Sequence, residues 1–276
     1  GAASGIGLGM TEALAHRGMR VVMADVEQEP LAREAERLQK LNFDVSPCVT
    51  DVSEGAAIES LLAHATGTYG NVHVLCNNAG VSGGGGAEGI WSQTQEDWDW
   101  VMGVNFYGVV NGIRAFVPHM LAHGEESHIV NTSSILGLTT GGGSIYGVTK
   151  HAVARLTEGL YHDLSARSAN IGVTLLCPGL IATNIITSAR NRPAGLESGA
   201  NPDDPDQAER IRQMDKYFKA QGMAPREVGE LVAEAIAARQ FYLLTHPENM
   251  QGVERRFDDL LHLRNPAPPV PMVPGN

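Results

Sequence analysis

The chain opens with "GAASGIGLGM" (residues 1–10), in which glycines at positions 1, 5 and 7 precede a helical pattern. Glycine has no Cβ, so the backbone can turn tightly there and approach a phosphate closely. The N-terminus of the following helix offers free N–H groups and a positive dipole end to a pyrophosphate. A loop that merely caps a helix would show the same spacing. The stretch therefore predicts a dinucleotide site that other residues have to support.

Asp25 supplies part of that support. It ends the apolar run "RVVMAD" (20–25) and follows Gly7 by 18 residues. A carboxylate at this point can accept hydrogen bonds from both ribose hydroxyls of an adenosine. It would repel the 2′-phosphate of NADP, and no Lys or Arg stands at 24–28 to offset the repulsion. The two signals together predict NAD as the cofactor, although a helix-capping role for Asp25 alone stays open.

Short apolar runs alternate with longer amphipathic stretches along the chain. Several runs are continuously hydrophobic, which is typical of strands that are covered on both faces. Alternating strands and helices predict a parallel sheet with helices on both sides, a doubly wound, Rossmann-type α/β fold. The strand runs are 20–25, 45–51, 72–80, 128–134, 172–179 and 241–246, and the helical stretches include 29–41, 54–68, 97–122 and 146–167.

The predicted organisation is a single dinucleotide-binding domain over residues 1–262, followed by a proline-rich tail at 263–276. Residues 184–224 are polar and carry prolines, and we predict that they form a substrate loop or lid. A parallel sheet of this kind normally carries its first strand ahead of the glycines. No strand pattern stands there, so we expect a few N-terminal residues of the natural protein to be missing from this chain.

The composition argues against several classes of protein. The chain has 276 residues, a formal net charge of −11 and a pI near 5.3, whereas a nucleic-acid surface needs clustered Lys and Arg. No apolar run reaches the roughly 18 residues that span a bilayer, and no secretory leader is visible. We therefore predict a cytoplasmic protein without nucleic-acid or membrane partners. His119 and His123 stand four apart without a third ligand at useful spacing, so no metal site is predicted.

The stretch "GGSIYGVTKHAV" (142–153) places Tyr146 four residues before Lys150. On a helix the two side chains lie one turn apart on the same face. A phenol has an ordinary pKa of about 10, so it carries protons poorly at neutral pH. A nearby ammonium group favours the phenolate, and a cationic nicotinamide would add to this effect. The pair therefore predicts that Tyr146 acts as an acid and base, unless it is an ordinary solvated surface pair.

Six motifs in a fixed order resemble the short-chain dehydrogenase/reductase family. Each motif occurs by chance on its own, whereas the ordered set is specific and covers the chain to about residue 185. The motifs are G-x-x-x-G-x-G at the start, "NNAG" at 77–80, Asn105 in "VNFYG", Ser134 in "NTSS", Y-x-x-x-K at 146–150 and "PGLIAT" at 178–183.

The resemblance implies four catalytic residues. Tyr146 would exchange a proton with the substrate oxygen while the nicotinamide takes or gives a hydride, and Ser134 would hydrogen-bond that oxygen. Lys150 would also bind the nicotinamide ribose. Asn105 would interrupt a helix and position water in a proton relay. Ser134 precedes Tyr146 by 12 residues, whereas many relatives show 13, so Ser133 stays an alternative to Ser134.

The resemblance also implies the contacts of the cofactor. Asp51 and Val52 would flank the adenine, although Asp51 alternatively caps the helix that starts near Ser53. Other positions would lie beneath the adenosine ribose or grip the carboxamide. The full set of predicted cofactor residues is Gly1, Ser4, Gly5, Ile6, Gly7, Asp25, Asp51, Val52, Asn78, Gly80, Tyr146, Lys150, Ile181 and Thr183.

The implied reaction is the NAD-dependent interconversion of a secondary alcohol and a ketone. "DWDWVMGVNFYGVVNGIRAFVPHM" (97–120) and the "THPE" ending resemble a subgroup that includes bacterial aryl-alcohol dehydrogenases acting on lignin-derived benzylic alcohols. A bulky apolar, aromatic or cyclic alcohol is therefore expected. Two features of 184–224 have two interpretations each. One helix face either closes over the substrate or simply packs against the protein; it carries Met214, Tyr217, Phe218 and Gln221. Two loop arginines, Arg190 and Arg192, either bind a substrate carboxylate or are solvated.

Two other functions remain as alternatives. A cofactor-binding sensor or scaffold would keep the fold without chemistry, because a fold alone does not establish a function. An NADPH-dependent carbonyl reductase would use the same site in the reducing direction. The resemblance further implies a homodimer or a homotetramer.

Overall fold

The computed structural model describes residues 1–83, 89–196 and 204–269 of the chain. In these ranges parallel strands alternate with helices, as the hydrophobic runs predict. No strand extends beyond the end of its predicted run, because the polar residues that close most runs already belong to the connecting loops, whereas β4 and β5 begin one residue earlier than predicted. The strands are β1 (Val21–Asp25), β2 (Val45–Val49), β3 (Val74–Asn77), β4 (Ser127–Thr132), β5 (Ile171–Cys177) and β6 (Tyr242–Leu244).

The helices connect these strands and cover them. The amphipathic stretch predicted as one helix over 97–122 is interrupted by a π-helical turn at Gly103–Tyr107. The helices are α1 (Gly5–His16), α2 (Gln28–Lys40), α3 (Gly55–Tyr69), α4 (Gln95–Met102), α5 (Gly108–His123), α6 (Ile145–Ala166), α7 (Pro205–Gln221), α8 (Pro225–Ala238) and α9 (Met250–Leu261).

Helices lie on both faces of the strands, which confirms the predicted fold class. Successive residues of a strand point to opposite faces, so Ile129 and Val130 of β4 mark the two sides. Ile129 packs in a core cluster with Phe116 of α5 and Leu164 of α6. Val130 packs instead with residues of α1 and α8, among them Met10 and Val228. The sheet is therefore buried on both sides, as its continuously apolar strands require.

The strands form two sheets rather than one within the described residues. β1 pairs with β2, and β3, β4, β5 and β6 follow one another in the second sheet, all parallel. The free edges of β1 and β3 face a slot of about 420 Å³, whose lining includes Val21, Val22, Leu75 and Cys76. The strand expected ahead of the glycines stays a prediction, as do the domain boundaries.

The described residues contain neither a membrane-spanning helix nor a metal-binding cluster. No helix among them combines the length and the apolar character that a membrane crossing requires. The same residues contain no group of three or more His, Cys, Asp and Glu side chains placed to hold a metal ion.

Candidate active site

The carboxyl ends of the strands open into one cavity of about 420 Å³, which we call the site cavity. A crevice at this edge is where open α/β sheets bind ligands. Ser134 lines it together with nearly all of the predicted cofactor residues, whereas Gly7 lies beside the slot and Asn105 is buried behind the wall. The predicted cofactor residues that line it are Gly1, Ser4, Gly5, Ile6, Asp25, Asp51, Val52, Asn78, Gly80, Tyr146, Lys150, Ile181 and Thr183.

The glycine-rich turn forms one end of the site cavity. A Cβ on Gly7 would lie 1.9 Å from the carbonyl oxygen of Gly1, so no other residue fits there without a shift of the backbone. Gly5 adopts φ +54, a conformation that side chains with a Cβ rarely adopt. The side-chain amide of Asn78 donates to the Gly1 carbonyl at 3.4 Å. The turn therefore presents backbone atoms and the first N–H groups of α1 to the cavity.

Asp25 ends β1 and is 6% exposed. Its Oδ2 accepts from the Ala3 N–H and its Oδ1 from the Glu27 N–H, both at 2.9 Å. Burial disfavours the charged carboxylate, whereas the two N–H groups favour it. The carboxylate ties the glycine turn to the start of α2 and faces the site cavity. The capping contact and a ribose contact are compatible.

Asp51 stands at the same end of the cavity, after β2. Its Oδ1 accepts from the Ser53 N–H at 2.9 Å and from the Ser53 hydroxyl at 2.7 Å. Asp51 therefore closes a turn ahead of α3 rather than capping that helix directly, whose N-cap is Glu54, and it also lines the site cavity.

Tyr146 and Lys150 lie on the first turns of α6, whose start is fixed by Ser144 accepting from the Gly147 N–H at 3.2 Å. The Lys150 ammonium lies 5.4 Å from the centre of the Tyr146 ring and donates to the Thr132 carbonyl at 2.9 Å. Both side chains line the site cavity. The surface-pair alternative is therefore wrong, because Lys150 is 3% exposed and points inward.

The pKa of Tyr146 departs from the direction that we expected. Burial raises it above its ordinary value, and a hydrogen bond with the Ser134 hydroxyl opposes the rise without cancelling it. Burial also lowers the pKa of Lys150 to about 8, which weakens it as a cation at alkaline pH. Among the groups of the chain itself, desolvation thus outweighs the hydrogen bond from Ser134. We expected an acidic phenol from Lys150 together with a cationic nicotinamide, and the groups of the chain alone do not produce it.

The two neighbouring serines have different partners. Ser134 acts on the phenol of Tyr146 as a hydrogen-bond partner, and its Oγ accepts from the Leu136 N–H at 3.2 Å. Ser133 donates instead to the backbone carbonyl of Lys150 at 2.7 Å. Position along the strand end therefore favours Ser134 as the hydroxyl that meets a substrate oxygen, and gives Ser133 a structural contact with α6.

Asn105 sits in the π-helical turn and is fully buried. Its side-chain oxygen accepts from the Val81 N–H at 2.8 Å, and its amide donates to the Val81 carbonyl at 2.9 Å and to Thr149 Oγ1 at 3.2 Å. The side chain thus holds the loop after β3 against α6. It does interrupt the helix, as expected, and its role in a water relay stays a prediction.

Both loop arginines are paired with carboxylates of the chain itself. Arg190 makes two contacts with Glu27, Nε to Oε1 at 3.0 Å and Nη2 to Oε2 at 2.8 Å. Arg192 donates to Asp97 at 2.7 Å, and its guanidinium lies 5.0 Å from the Trp100 ring. Arg192 is buried and therefore not solvated, whereas Arg190 is 37% exposed and remains partly in solvent.

These pairs fasten the 3-10 helix Ile185–Asn191, which we call the 185–191 segment, around the site cavity. Ser188 adds a third contact, because its hydroxyl accepts from the Ser82 N–H at 2.9 Å. Of the predicted lid face on α7, Phe218 lines the cavity, whereas Met214 is exposed and Tyr217 does not reach the wall. Residues 197–203 of the predicted loop lie outside the described residues.

The chain also matches known proteins. A protein-family model described as "short chain dehydrogenase" matches residues 1–194. The chain belongs to the short-chain dehydrogenase family. This confirms the resemblance that the six motifs indicate and makes the chain an oxidoreductase of that family.

Three relatives of this short-chain dehydrogenase illustrate the match. A solved short chain dehydrogenase/reductase from Burkholderia phymatum, in complex with NAD, is 41% identical and superposes with a TM-score of 0.92 over 98% of this chain and 95% of that chain. A 1-deoxy-11-beta-hydroxypentalenate dehydrogenase of Streptomyces exfoliatus is 32% identical over 98% of this chain and 90% of its own. A C alpha-dehydrogenase of Sphingobium sp. is 29% identical over 95% and 83%.

Two carboxylates of this short-chain dehydrogenase escape sequence analysis. Glu27 and Asp97 carry no motif, and their arginine partners stand 163 and 95 residues away. No spacing rule connects residues so far apart. One feature of the sequence indicates a role for Glu27: it follows Asp25 by two residues at the end of β1. Glu27 is therefore near any adenosine that Asp25 binds.

Proposed function

We propose that the protein is an NAD-dependent dehydrogenase that interconverts a secondary alcohol and a ketone, with Tyr146 as the acid and base. One observation carries the proposal: the glycine turn with Asp25 and the Ser134–Tyr146–Lys150 cluster line the same cavity. The first group is suited to a dinucleotide and the second to proton transfer at an oxygen. The NAD complex of the 41% identical relative supports this assignment.

The residues fit a dinucleotide on their own geometry. The space beside Gly7 has no room for a Cβ, so backbone atoms line the turn, and α1 starts there with its free N–H groups. Asp25, Glu27 and Asp51 provide carboxylates at the same end of the cavity. When bound, NAD would supply the hydride acceptor and a positively charged ring. The Asp25 carboxylate favours ribose hydroxyls over a 2′-phosphate, which supports NAD rather than NADP.

The protein side of the reaction is a proton transfer. Ser134 would hold the substrate oxygen, and Tyr146 would accept its proton during oxidation of the alcohol. Because burial keeps the pKa of Tyr146 high, the phenolate needs a nearby positive charge at the moment of reaction. The Lys150 ammonium contributes such a charge, 5.4 Å from the centre of the Tyr146 ring. The same ammonium, which donates to the Thr132 carbonyl, would also hold a ribose hydroxyl of the cofactor.

The far end of the site cavity favours an uncharged, apolar substrate. Its lining includes the apolar side chains of Leu136, Ile186, Pro193 and Phe218, with Trp100 beside them. Among the described lining residues the positive charges are those of Lys150 and Arg190, and Arg190 is paired with Glu27. A substrate carboxylate would therefore find no available partner there. The name of the 1-deoxy-11-beta-hydroxypentalenate dehydrogenase contains a hydroxyl-bearing substrate, which supports an alcohol as the substrate class.

The test is the absorbance of reduced nicotinamide with an alcohol panel: 1-phenylethanol, cyclohexanol and the para-carboxylate analogue of 1-phenylethanol, each with NAD and with NADP. We expect NAD to be reduced by a neutral alcohol and the carboxylate analogue to react at least about tenfold more slowly. Binding of NAD without reduction over a wide panel would favour the sensor. Turnover restricted to NADPH and a ketone would favour the carbonyl reductase instead.

A further inference from the structure

Arg190 is a paired cation at the carboxylate-rich end of the site cavity. A guanidinium has five N–H donors. Four of them make hydrogen bonds here: two to Glu27, and two from Nη1 to the carbonyls of Asn184 at 3.2 Å and Thr187 at 3.1 Å. The two bonds to Glu27 run side by side, which is the strong bidentate form of an arginine–carboxylate contact.

Glu27 lies directly beside the carboxylate that selects the ribose. Its backbone N–H donates to Asp25 at 2.9 Å, and the two carboxylates repel each other. The hydrogen bond from Arg190 nevertheless holds the pKa of Glu27 below its ordinary value, so Glu27 is ionised. All three side chains line the site cavity. The cation that a 2′-phosphate would need is thus present at the right end but is already neutralised.

We infer that Glu27 sets the cofactor preference by holding Arg190, so that no guanidinium is available to a 2′-phosphate. The inference rests on the proposed function, because it assumes that a dinucleotide binds in the site cavity. Glu27 disfavours NADP in two ways: it adds a negative charge next to Asp25, and it occupies the fork of the arginine.

The energetics allow a single substitution to undo this arrangement. The side chains of Arg190 and Glu27 are 37% and 21% exposed. An ion pair that is open to solvent contributes little stability, so its loss leaves the fold intact. A phosphate, in contrast, forms short charge-assisted bonds with a free arginine fork. Removing the charge of Glu27 therefore changes the competition for Arg190 far more than it changes the stability of the protein.

The experiment measures dissociation constants of NADH and NADPH by nucleotide fluorescence, so it does not depend on turnover. In Glu27→Gln we expect NADPH to bind at least about tenfold more tightly than in the wild type and NADH to change by less than about threefold. The gain should disappear in Glu27→Gln/Arg190→Gln. Glu29→Gln is the matched control, because it removes the same charge from an exposed position two residues away with no contact to Arg190. Thermal melting checks that each variant is folded.

The outcomes separate the possible failures. If the double variant keeps the NADPH gain, Arg190 takes no part and the inference is wrong. It is equally wrong if Glu27→Gln binds NADH normally but gains nothing for NADPH, and the proposed function then stands. If the wild type binds neither dinucleotide, the proposed function fails first. Should Glu27→Gln melt early, Glu27→Ser gives the same comparison.

Discussion

The reaction centre and the 185–191 segment both line one cavity, and they are held in different ways. Ser134, Tyr146 and Lys150 are fixed by β4, by α6 and by bonds to backbone atoms such as the Thr132 carbonyl. The 185–191 segment is fastened by side chains to Glu27 and Ser82, and Arg192 just beyond it is bound to Asp97. The reaction centre thus lies on regular secondary structure. The 185–191 segment is held by side-chain contacts that can be removed one at a time.

The contacts of Arg190 and Arg192 differ from each other as well. Arg192 and Asp97 are 9% and 2% exposed, so their charges were removed from water when the protein folded. Arg190 and Glu27 remain partly in solvent. Breaking a buried pair leaves an uncompensated charge, whereas breaking a solvated pair leaves two hydrated ions. We therefore expect the buried Arg192–Asp97 contact to contribute to folding. The exposed Arg190–Glu27 contact contributes little to stability and can instead affect the choice between NAD and NADP.

The largest expected effect tests this difference. Arg192→Met should lower the free energy of unfolding by about 3 to 5 kcal/mol, because Asp97 stays buried without that partner. Arg190→Met should lower it by less than about 1 kcal/mol. Urea unfolding of the two variants is the measurement. Equal losses would show that burial does not distinguish the two contacts.

The second prediction separates the adjacent serines of the reaction centre. Ser134→Ala should lower kcat about a hundredfold, which is about 2.7 kcal/mol, because the substrate oxygen loses its hydrogen-bond donor. Ser133→Ala should keep kcat within about threefold and lose about 1 to 2 kcal/mol of stability, since the Lys150 carbonyl loses its donor. Steady-state kinetics and urea unfolding on both variants give the answer. The reverse pattern would make Ser133 the functional hydroxyl.

The third prediction concerns the free energy of unfolding that is lost because Lys150 is buried. The pKa of Lys150 is about 8 in the folded protein against an ordinary 10.5. Below pH 8 the charged amine is buried in full and destabilises the native state; this cost falls as the pH rises toward 10.5 and vanishes above it. This difference between the two pKa values of Lys150 corresponds to a cost of about 3 kcal/mol. The hydrogen bond to the Thr132 carbonyl offsets about 1 to 2 kcal/mol of that cost.

Lys150→Met should therefore be more stable than the wild type by about 1 to 2 kcal/mol at neutral pH and yet inactive. Its advantage should shrink between pH 8 and pH 10.5. Urea unfolding at several pH values measures both. A variant that is less stable at neutral pH, or whose advantage grows with pH, would contradict the sign of this pKa shift.

The parts that sequence patterns predicted are the local ones. The glycine turn, the strand end at Asp25 and the helical spacing of Tyr146 and Lys150 each depend on residues close together in the chain. The fold class followed from the alternation of apolar runs. The direction of the Tyr146 pKa shift did not follow, because spacing shows which residues are neighbours but not the burial that raises this pKa.

Long-range pairings could not be predicted for a different reason. Arg190 and Arg192 look alike in a polar loop, and their separate fates depend on which strand end and which helix lie next to the 185–191 segment. The four candidate lid residues likewise share a face of α7 by their spacing, but Phe218 alone among them lines the cavity. Docking of a loop is a property of the whole fold rather than of its own residues.

The most direct test of the central claim is the pH dependence of kcat/KM for alcohol oxidation in the wild type and in Tyr146→Phe. Tyr161→Phe, which changes a phenol that is 43% exposed, is the control. Burial raises the pKa of Tyr146, so the phenol is protonated at neutral pH and we expect the wild-type rate to climb toward alkaline pH as it ionises. Tyr146→Phe should bind NAD normally but react about a thousandfold more slowly without that climb. A Tyr146→Phe enzyme that retained most of the rate, or the same climb with pH, would contradict the account.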